Sequence, residues 1–300
     1  MKIIITGTSG FVGQNLSKYL TFENFKIQSL SLRNEDWKST LDTNANAIIH
    51  LAGKAHDTKN TSHSSEYFTV NTELTKQLFD AFLTSEIQDF IYFSSVKAVA
   101  DTVENILYED EIPQPKTPYG KSKLKAEEYI LSHQIPKNKR VFIIRPCMIH
   151  GEGNKGNLNL LYNVVKRGIP YPLAAFDNER SFLSINNLNF LIFNTLKNKN
   201  IKSGIYNFAD DDFVSTNQLV LIISKVINKK SKLLRVPKSI IKNIAKLGDV
   251  LKLPLNSEKL TKLTENYKVS NQKIKQALQL EKLPFTAEEG LEKTIKSFIN

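Results

Sequence analysis

The stretch "KIIITGTSGFVGQNLSKYL", Lys2–Leu20, decides the fold. Ile3 to Ile5 form a short apolar run that reads as a buried strand, and Phe11 to Leu20 carry apolar residues at helical spacing. Between them Gly7, Gly10 and Gly13 are spaced G-x-x-G-x-x-G. Glycines in such a turn allow close backbone approach, so the free N–H groups at the helix start can hold a pyrophosphate. Three glycines alone could be plain turn geometry. A strand directly before and an apolar helix directly after make dinucleotide binding the reading, with Ser9, Phe11 and Val12 joining the glycines as candidate contacts.

Outward from this unit the same alternation repeats. "FKIQSLSL", "AIIHLAG", "DFIYFSS" and "RVFIIRP" read as strands, and "EYFTVNTELTKQLFDAFLTS" and "YGKSKLKAEEYILSHQ" as amphipathic helices between them. Strands rich in Ile, Val and Phe separated by helices predict parallel βαβ units with both sheet faces covered. The fold class is therefore α/β, a Rossmann-type doubly wound parallel sheet over residues 1–150. After "RPCMIHGEGNKGN" the pattern loosens, and residues 151–300 are expected to form mainly a smaller, less regular lobe for the substrate. "LNFLIFNTLK" and "GIYNFAD" are expected to return to the first core.

Composition narrows the class of function. A 300-residue chain with 41% apolar residues can bury a large core. One cysteine, Cys147, excludes an internal disulfide, and five scattered histidines offer no metal-binding spacing, so no metal is expected and a reducing, cytoplasmic setting fits. "MKIIITG" is too short for a secretory core, and no apolar run approaches the ~20 residues of a membrane span. The net charge of +11 is concentrated: residues 225–275 hold fourteen Lys or Arg against three Asp or Glu. Such a segment could meet an anionic surface. Its cations are interleaved with apolar residues and lack clustered aromatics, so a solvated face is the first reading, with peripheral membrane association kept open and nucleic acid excluded as a partner.

The end of the second strand selects the cofactor. An acidic residue there suits a ribose 2′-hydroxyl, whereas an arginine suits a 2′-phosphate. "SLSLRNEDW" places Ser31 and Arg33 at the strand end, with Glu35 and Asp36 beyond. Arg33 favours NADP(H), with NAD(H) as the alternative.

"TPYGKSKLKAEEY" sets Tyr119 four residues ahead of Lys123 at a helix start. Residues four apart share a face, and a nearby ammonium would lower a tyrosine's ordinary value of about 10. The pair would then serve as a general acid/base. Ser95, at the end of the fourth strand on the edge where ligands of open α/β sheets bind, would hold the substrate oxygen.

Taken together, "TGTSGFVG", "IIHLAG", "VNTELTKQL", "FSSVKAV", "YGKSKLKAEE", "RPCMIHGEG" and "ERSFLSINNL" resemble the extended short-chain dehydrogenase/reductase superfamily, the NAD-dependent epimerase/dehydratase family of nucleotide-sugar enzymes. That resemblance implies Ser95, Tyr119 and Lys123 as the catalytic triad, Lys123 on the nicotinamide ribose, Asn71 supporting the cofactor, and Leu51 and Ala52 lining its site. "FSSVKAV" and the run from Lys155 to Leu188 are most similar to a bacterial surface-polysaccharide branch of UDP-4-keto-6-deoxy-N-acetylhexosamine reductases, which make UDP-N-acetylfucosamine or UDP-N-acetylquinovosamine. A UDP-sugar substrate and a homodimer are implied with it. Asn157 and Arg180 would anchor the diphosphate, while an ion pair with a carboxylate is the structural alternative for Arg180. Lys97 and His150 are further substrate candidates. The chain departs from the family at His150, where a tyrosine is frequent, and at Ala98–Ala100, which stands where "VYG" would supply an aromatic beside the sugar. The rival readings are a UDP-hexose 4-epimerase with retained NAD and a non-catalytic nucleotide sensor.

Overall fold

The computed structural model describes residues 1–54, 63–154, 156–251 and 256–299. In chain order its strands are β1 Lys2–Thr6, β2 Lys26–Leu30, β3 Ala47–His50, β4 Asp89–Phe93, β5 Ile106–Leu107, β6 Arg140–Pro146, β7 Met148–His150, β8 Arg180–Ser184, β9 Gly204–Phe208, β10 Phe213–Val214 and β11 Lys268–Val269. Six of them form one parallel sheet in the order β2-β1-β3-β4-β6-β9.

Strict alternation along each strand builds two cores. Ile3 and Ile5, Ala47 and Ile49, Ile91 and Phe93, and Phe142 and Ile144 face one way, where they meet Leu16 and Leu20 of the helix Phe11–Phe22 and Leu188, Leu191 and Leu196 of the helix Ile185–Lys197. Ile4, Ile48, Phe90, Tyr92 and Ile143 face the other way, against Leu78, Phe79 and Phe82 of Leu74–Leu83 and Ala126 and Ile130 of Pro118–Leu131. Period-two side chains with helices on both faces explain why the strands read as continuous apolar runs. Each fully buried Ile or Phe side chain contributes roughly 1.5–3 kcal/mol against exposure, so this double layer supplies much of the stability.

A third core, centred on Leu158, Tyr162, Phe182, Val220, Ile223, Leu260 and Leu291, belongs to the later part of the chain. The strands β7, β8 and β10 form a small mixed sheet beside it, and β5 pairs with β11. The long helix expected from Glu66 to Ser85 is divided: α-helical Ser64–Phe68 passes through a π-helical turn, Thr69–Glu73, into Leu74–Leu83. The wider turn carries the buried Asn71, and π turns of this kind are frequent at functional positions.

From β1 the chain runs first to β2 on one side and then to β3 on the other, so the strand order reverses between β1 and β3. The crevice beyond the carboxyl ends of strands at such a reversal is where ligands bind in open α/β sheets. The glycine turn, Leu51–Ala52 and Ser94–Ser95 all stand at those carboxyl ends.

Candidate active site

The glycine turn is fitted to its backbone. Gly7 has φ +74°, and a methyl group there would lie 2.8 Å from the Ala52 nitrogen. At Gly13 a methyl group would come within 2.2 Å of the Gly7 carbonyl oxygen. Only glycine lets the helix start pack this closely on the turn. Gly10 caps the helix Phe11–Phe22 without any side-chain acceptor, and its first turn holds no acidic residue. The helix N-terminus is thus left to an exogenous anion, which fits a dinucleotide pyrophosphate.

Below the turn a buried chain of hydrogen bonds joins three elements. His50 Nδ1 lies 2.7 Å from Thr6 Oγ1, its Nε2 lies 2.9 Å from Thr75 Oγ1, and Thr75 Oγ1 donates to the Asn71 carbonyl. Because the Thr75 proton is directed to Asn71, His50 donates through Nε2 and accepts through Nδ1. Burial, reinforced by the Lys123 charge, lowers the His50 pKa to about 3, so the ring is neutral. Asn71 Oδ1 accepts from the Lys54 backbone N–H at 2.7 Å, and Asn71 Nδ2 donates to Ser122 Oγ at 3.0 Å. Ala52 donates its N–H to Thr6 Oγ1 at 3.1 Å, and Leu51 packs against the first core.

Thr117 caps the helix Pro118–Leu131 by accepting from the Gly120 N–H, and Pro118 occupies its first turn. This start puts Tyr119 on the wall of a cavity of about 760 Å³ shared with Ser95, Lys97, Asn157 and Arg180. Burial raises the Tyr119 pKa, Ser95 on the same wall opposes it only in part, and the phenol stands above its ordinary value. The expected acidification by Lys123 is corrected here: burial drives the phenol up, and Lys123 Nζ donates to the Phe93 carbonyl at 2.8 Å. Burial lowers the Lys123 pKa to about 8, opposed by the nearby charge of Glu127.

Glu127, one turn after Lys123, was not singled out from sequence. It accepts from Arg145 Nε at 3.1 Å and from Arg145 Nη2 at 2.6 Å, and Ser94 Oγ donates to it, with all three residues buried. Ser94 is therefore engaged, whereas Ser95 opens on the cavity. Lys123 to Phe93 and Ser94 to Glu127 fasten the helix to the end of β4 at two successive turns.

The remaining candidates divide. Lys97 Nζ donates to the Asp101 carbonyl at 2.6 Å and lies 4.2 Å from the centroid of the Tyr267 ring. Tyr267 in turn donates its hydroxyl to the Ala100 carbonyl at 2.7 Å and lines the cavity. The aromatic wall that Ala98–Ala100 lacks is thus provided by a distant part of the chain, for which the local sequence held no signal. Arg180 donates to the Lys262 carbonyl at 2.7 Å and faces Glu265 at 3.9 Å, so the ion-pair alternative is present, and the residue also lines the cavity. His150 is not brought to the cavity. It is buried, with Nδ1 2.8 Å from Thr294 Oγ1 and Nε2 3.7 Å from Asp210, and it packs edge-on to Phe182, so the substrate contact expected of it is replaced by a place in the lobe core. Arg33 is exposed just past β2 and takes part in no hydrogen bond or ion pair among the described residues. No cluster of His, Cys, Asp or Glu suited to a metal occurs among those residues.

Comparisons with known proteins agree with this geometry. The model of the NAD dependent epimerase/dehydratase family matches residues 3–209. A UDP-glucose 4-epimerase of Vibrio cholerae is 30% identical, covering 99% of this chain and 95% of its own length. Among solved structures, UDP-N-acetylglucosamine 4-epimerase from Bacillus cereus superposes with TM-score 0.78 at 21% identity, covering 100% of both chains. RMD from Pseudomonas aeruginosa complexed with NADPH does so with TM-score 0.77 at 20% identity, covering 99% of this chain and 98% of the other. A dinucleotide-fitted glycine turn at the sheet reversal and a family match across most of the chain lead to one conclusion: the protein is an NAD(P)-linked enzyme belonging to the NAD dependent epimerase/dehydratase family.

Proposed function

We propose that the enzyme reduces the C4 ketone of a UDP-4-keto-6-deoxy-N-acetylhexosamine with NADPH, giving UDP-N-acetylfucosamine or UDP-N-acetylquinovosamine. The observation that carries this reading is the placement of Tyr119 and Ser95 on the wall of one cavity that they share with Asn157 and Arg180. Burial holds the Tyr119 phenol above its ordinary pKa, with Ser95 acting in the opposite direction, so at neutral pH it retains its proton. A reductase needs a proton donor at the start of its reaction, whereas an oxidation needs a base.

The bound nicotinamide supplies the hydride that adds to C4. Ser95 Oγ holds the C4 oxygen, and Tyr119 donates its proton to that oxygen as the carbonyl becomes a hydroxyl. Lys123, anchored on Phe93, contributes positive charge beneath the site and is the candidate for the nicotinamide ribose. Asn157 and Arg180, on the wall formed by the later part of the chain, are suited to the diphosphate, whose remote binding energy can orient the sugar. Lys97, laid over Tyr267, is suited to a sugar oxygen or an acyl carbonyl. Arg33, exposed just past β2 and without an ion pair among the described residues, supports a 2′-phosphate and hence NADPH, since Ser31 follows the strand end where a ribose-binding carboxylate would stand.

The full-length similarity to a UDP-glucose 4-epimerase favours a second reading, in which the same residues oxidise and then reduce C4 on a retained NAD. The two are separated by following loss of reduced-nicotinamide absorbance with the keto sugar, alongside conversion of UDP-glucose and UDP-N-acetylglucosamine. Stoichiometric NADPH consumption is expected, with Tyr119→Phe losing about 10²–10⁴-fold in turnover at nearly unchanged cofactor affinity. Epimerised product without net NADPH use would select the second reading, and full activity of Tyr119→Phe would remove Tyr119 from the chemistry.

A further inference from the structure

The helix Lys238–Leu251 has a wider apolar face than the protein covers. Ile241, Ala245 and Gly248 are buried, with Ile241 and Ala245 joining the lobe core. Beside them Ile240, Ile244, Leu247 and Leu251 form a second row at spacings of four, three and four residues, which places them on one flank of the helix. These four side chains are between 45% and 58% exposed. Lys238, Lys242 and Lys246 line the opposite flank, and Lys242 and Lys246 make no ion pair among the described residues. The whole net charge of the chain, +11, equals the excess of cations over acids in residues 225–275. All three acids of that segment are engaged: Asp249 accepts from the Ser257 N–H and hydroxyl, Glu258 pairs with Lys262, and Glu265 faces Arg180.

We propose that this helix docks the enzyme peripherally on an anionic lipid bilayer, with the Ile/Leu row in the acyl boundary and the lysines at the level of the phosphates. An aliphatic row opposite a lysine flank is the arrangement of a helix lying in a membrane interface, and the localised cation excess is complementary to an anionic leaflet. A second copy of the chain would bring two strongly cationic surfaces together. Nucleic acid would find no aromatic side chain on the helix for base stacking. No helix among the described residues is long and apolar enough to cross a membrane, so the attachment is at the surface. The docking helix packs on Ser257–Thr264, which contributes Thr261 and Lys262 to the cavity wall, so a docked enzyme would work beside the bilayer. This inference does not depend on which C4 reaction the site performs.

The test is co-sedimentation of the full chain with vesicles of phosphatidylcholine containing phosphatidylglycerol, and with phosphatidylcholine alone. Binding to the anionic vesicles only is expected, weakened at least tenfold in Ile244→Ser/Leu247→Ser and in Lys242→Glu/Lys246→Glu, with thermal melting checked for each. Because Cys147 is buried, Leu247→Cys can also be labelled selectively with an environment-sensitive fluorophore, whose emission should shift to the blue on the anionic vesicles. Absence of binding by the unmodified chain, equal binding by the Ile244→Ser/Leu247→Ser variant, or an unshifted label would overturn the proposal. So would a concentration-dependent dimer in sedimentation velocity that the same double variant dissolves, since the row would then be occupied by a second copy.

Discussion

Replacing Glu127 by Gln preserves the shape of the side chain and removes one charge from a buried group of three. In the native structure the carboxylate receives Arg145 through both Nε and Nη2 and also accepts from Ser94. The amide can accept at its oxygen, but its NH₂ turns a donor towards donors, and the buried Arg145 guanidinium loses its counter-charge. Removing one partner of a buried ion pair costs about 3–5 kcal/mol. At about 2 °C per kcal/mol for a chain of this size, the melting temperature should fall by about 6–10 °C. A second consequence reaches the active site: without the Glu127 charge that raises it, the Lys123 pKa should fall below about 8. Calorimetry gives the first quantity and the pH profile of turnover the second. Glu127→Gln/Arg145→Met removes both charges and should recover much of the lost stability, because an apolar replacement of a buried pair is often close to neutral. A single variant melting within about 2 °C of the parent, or a double variant no more stable than the single one, would refute the argument that the pair's charges hold this helix on β4.

Two further outcomes follow from the described contacts. Gly13→Ala places a methyl group 2.2 Å from the Gly7 oxygen, so the turn must shift; dinucleotide affinity measured by titration calorimetry should weaken at least about tenfold, and unchanged affinity would contradict the close-packing role. Lys123 titrates at about 8 in the fold against 10.5 for the ordinary side chain, so between these values the unfolded chain binds the extra proton and stability rises with pH. Urea unfolding at the two ends of this window should show Lys123→Met lacking an increment on the order of 3 kcal/mol that the parent gains, and identical pH slopes would rule out the burial-driven shift.

The sheet was legible because burial on both faces makes the middles of the inner strands continuous apolar runs: "KIIIT" and "RVFIIRP" match β1 and β6 residue for residue. The glycine turn was legible for a related reason, since backbone crowding admits only one residue type. The π turn at Asn71 was hidden because its apolar spacing imitates an ordinary helix over so short a distance. The direction of the Tyr119 shift was hidden because helical spacing gives proximity to Lys123, whereas burial depends on Tyr67 and the surrounding walls. His150 could not be assigned from a motif position, because its partners Thr294 and Asp210 come from distant segments. Tyr267 and Glu127 illustrate the same limit from opposite sides: one reaches the cavity through tertiary packing, and the other shares the Lys123 helix face yet draws its meaning from Arg145 on a neighbouring strand.

The cavity has two walls of different origin, and this bears on how the enzyme can change over generations. Ser95 and Tyr119 are fastened to the doubly wound sheet, while Asn157, Arg180, Thr261, Lys262 and Tyr267 come from the later, independently cored part of the chain. Drift in the second wall can reshape the cavity without disturbing Ser95 and Tyr119, and drift in the sheet is constrained whatever that wall becomes. A chimaera carrying the second wall of a relative should therefore inherit that relative's substrate preference while keeping Ser95 and Tyr119 of this chain, so that new specificities arise by exchange of one wall instead of redesign of the whole site.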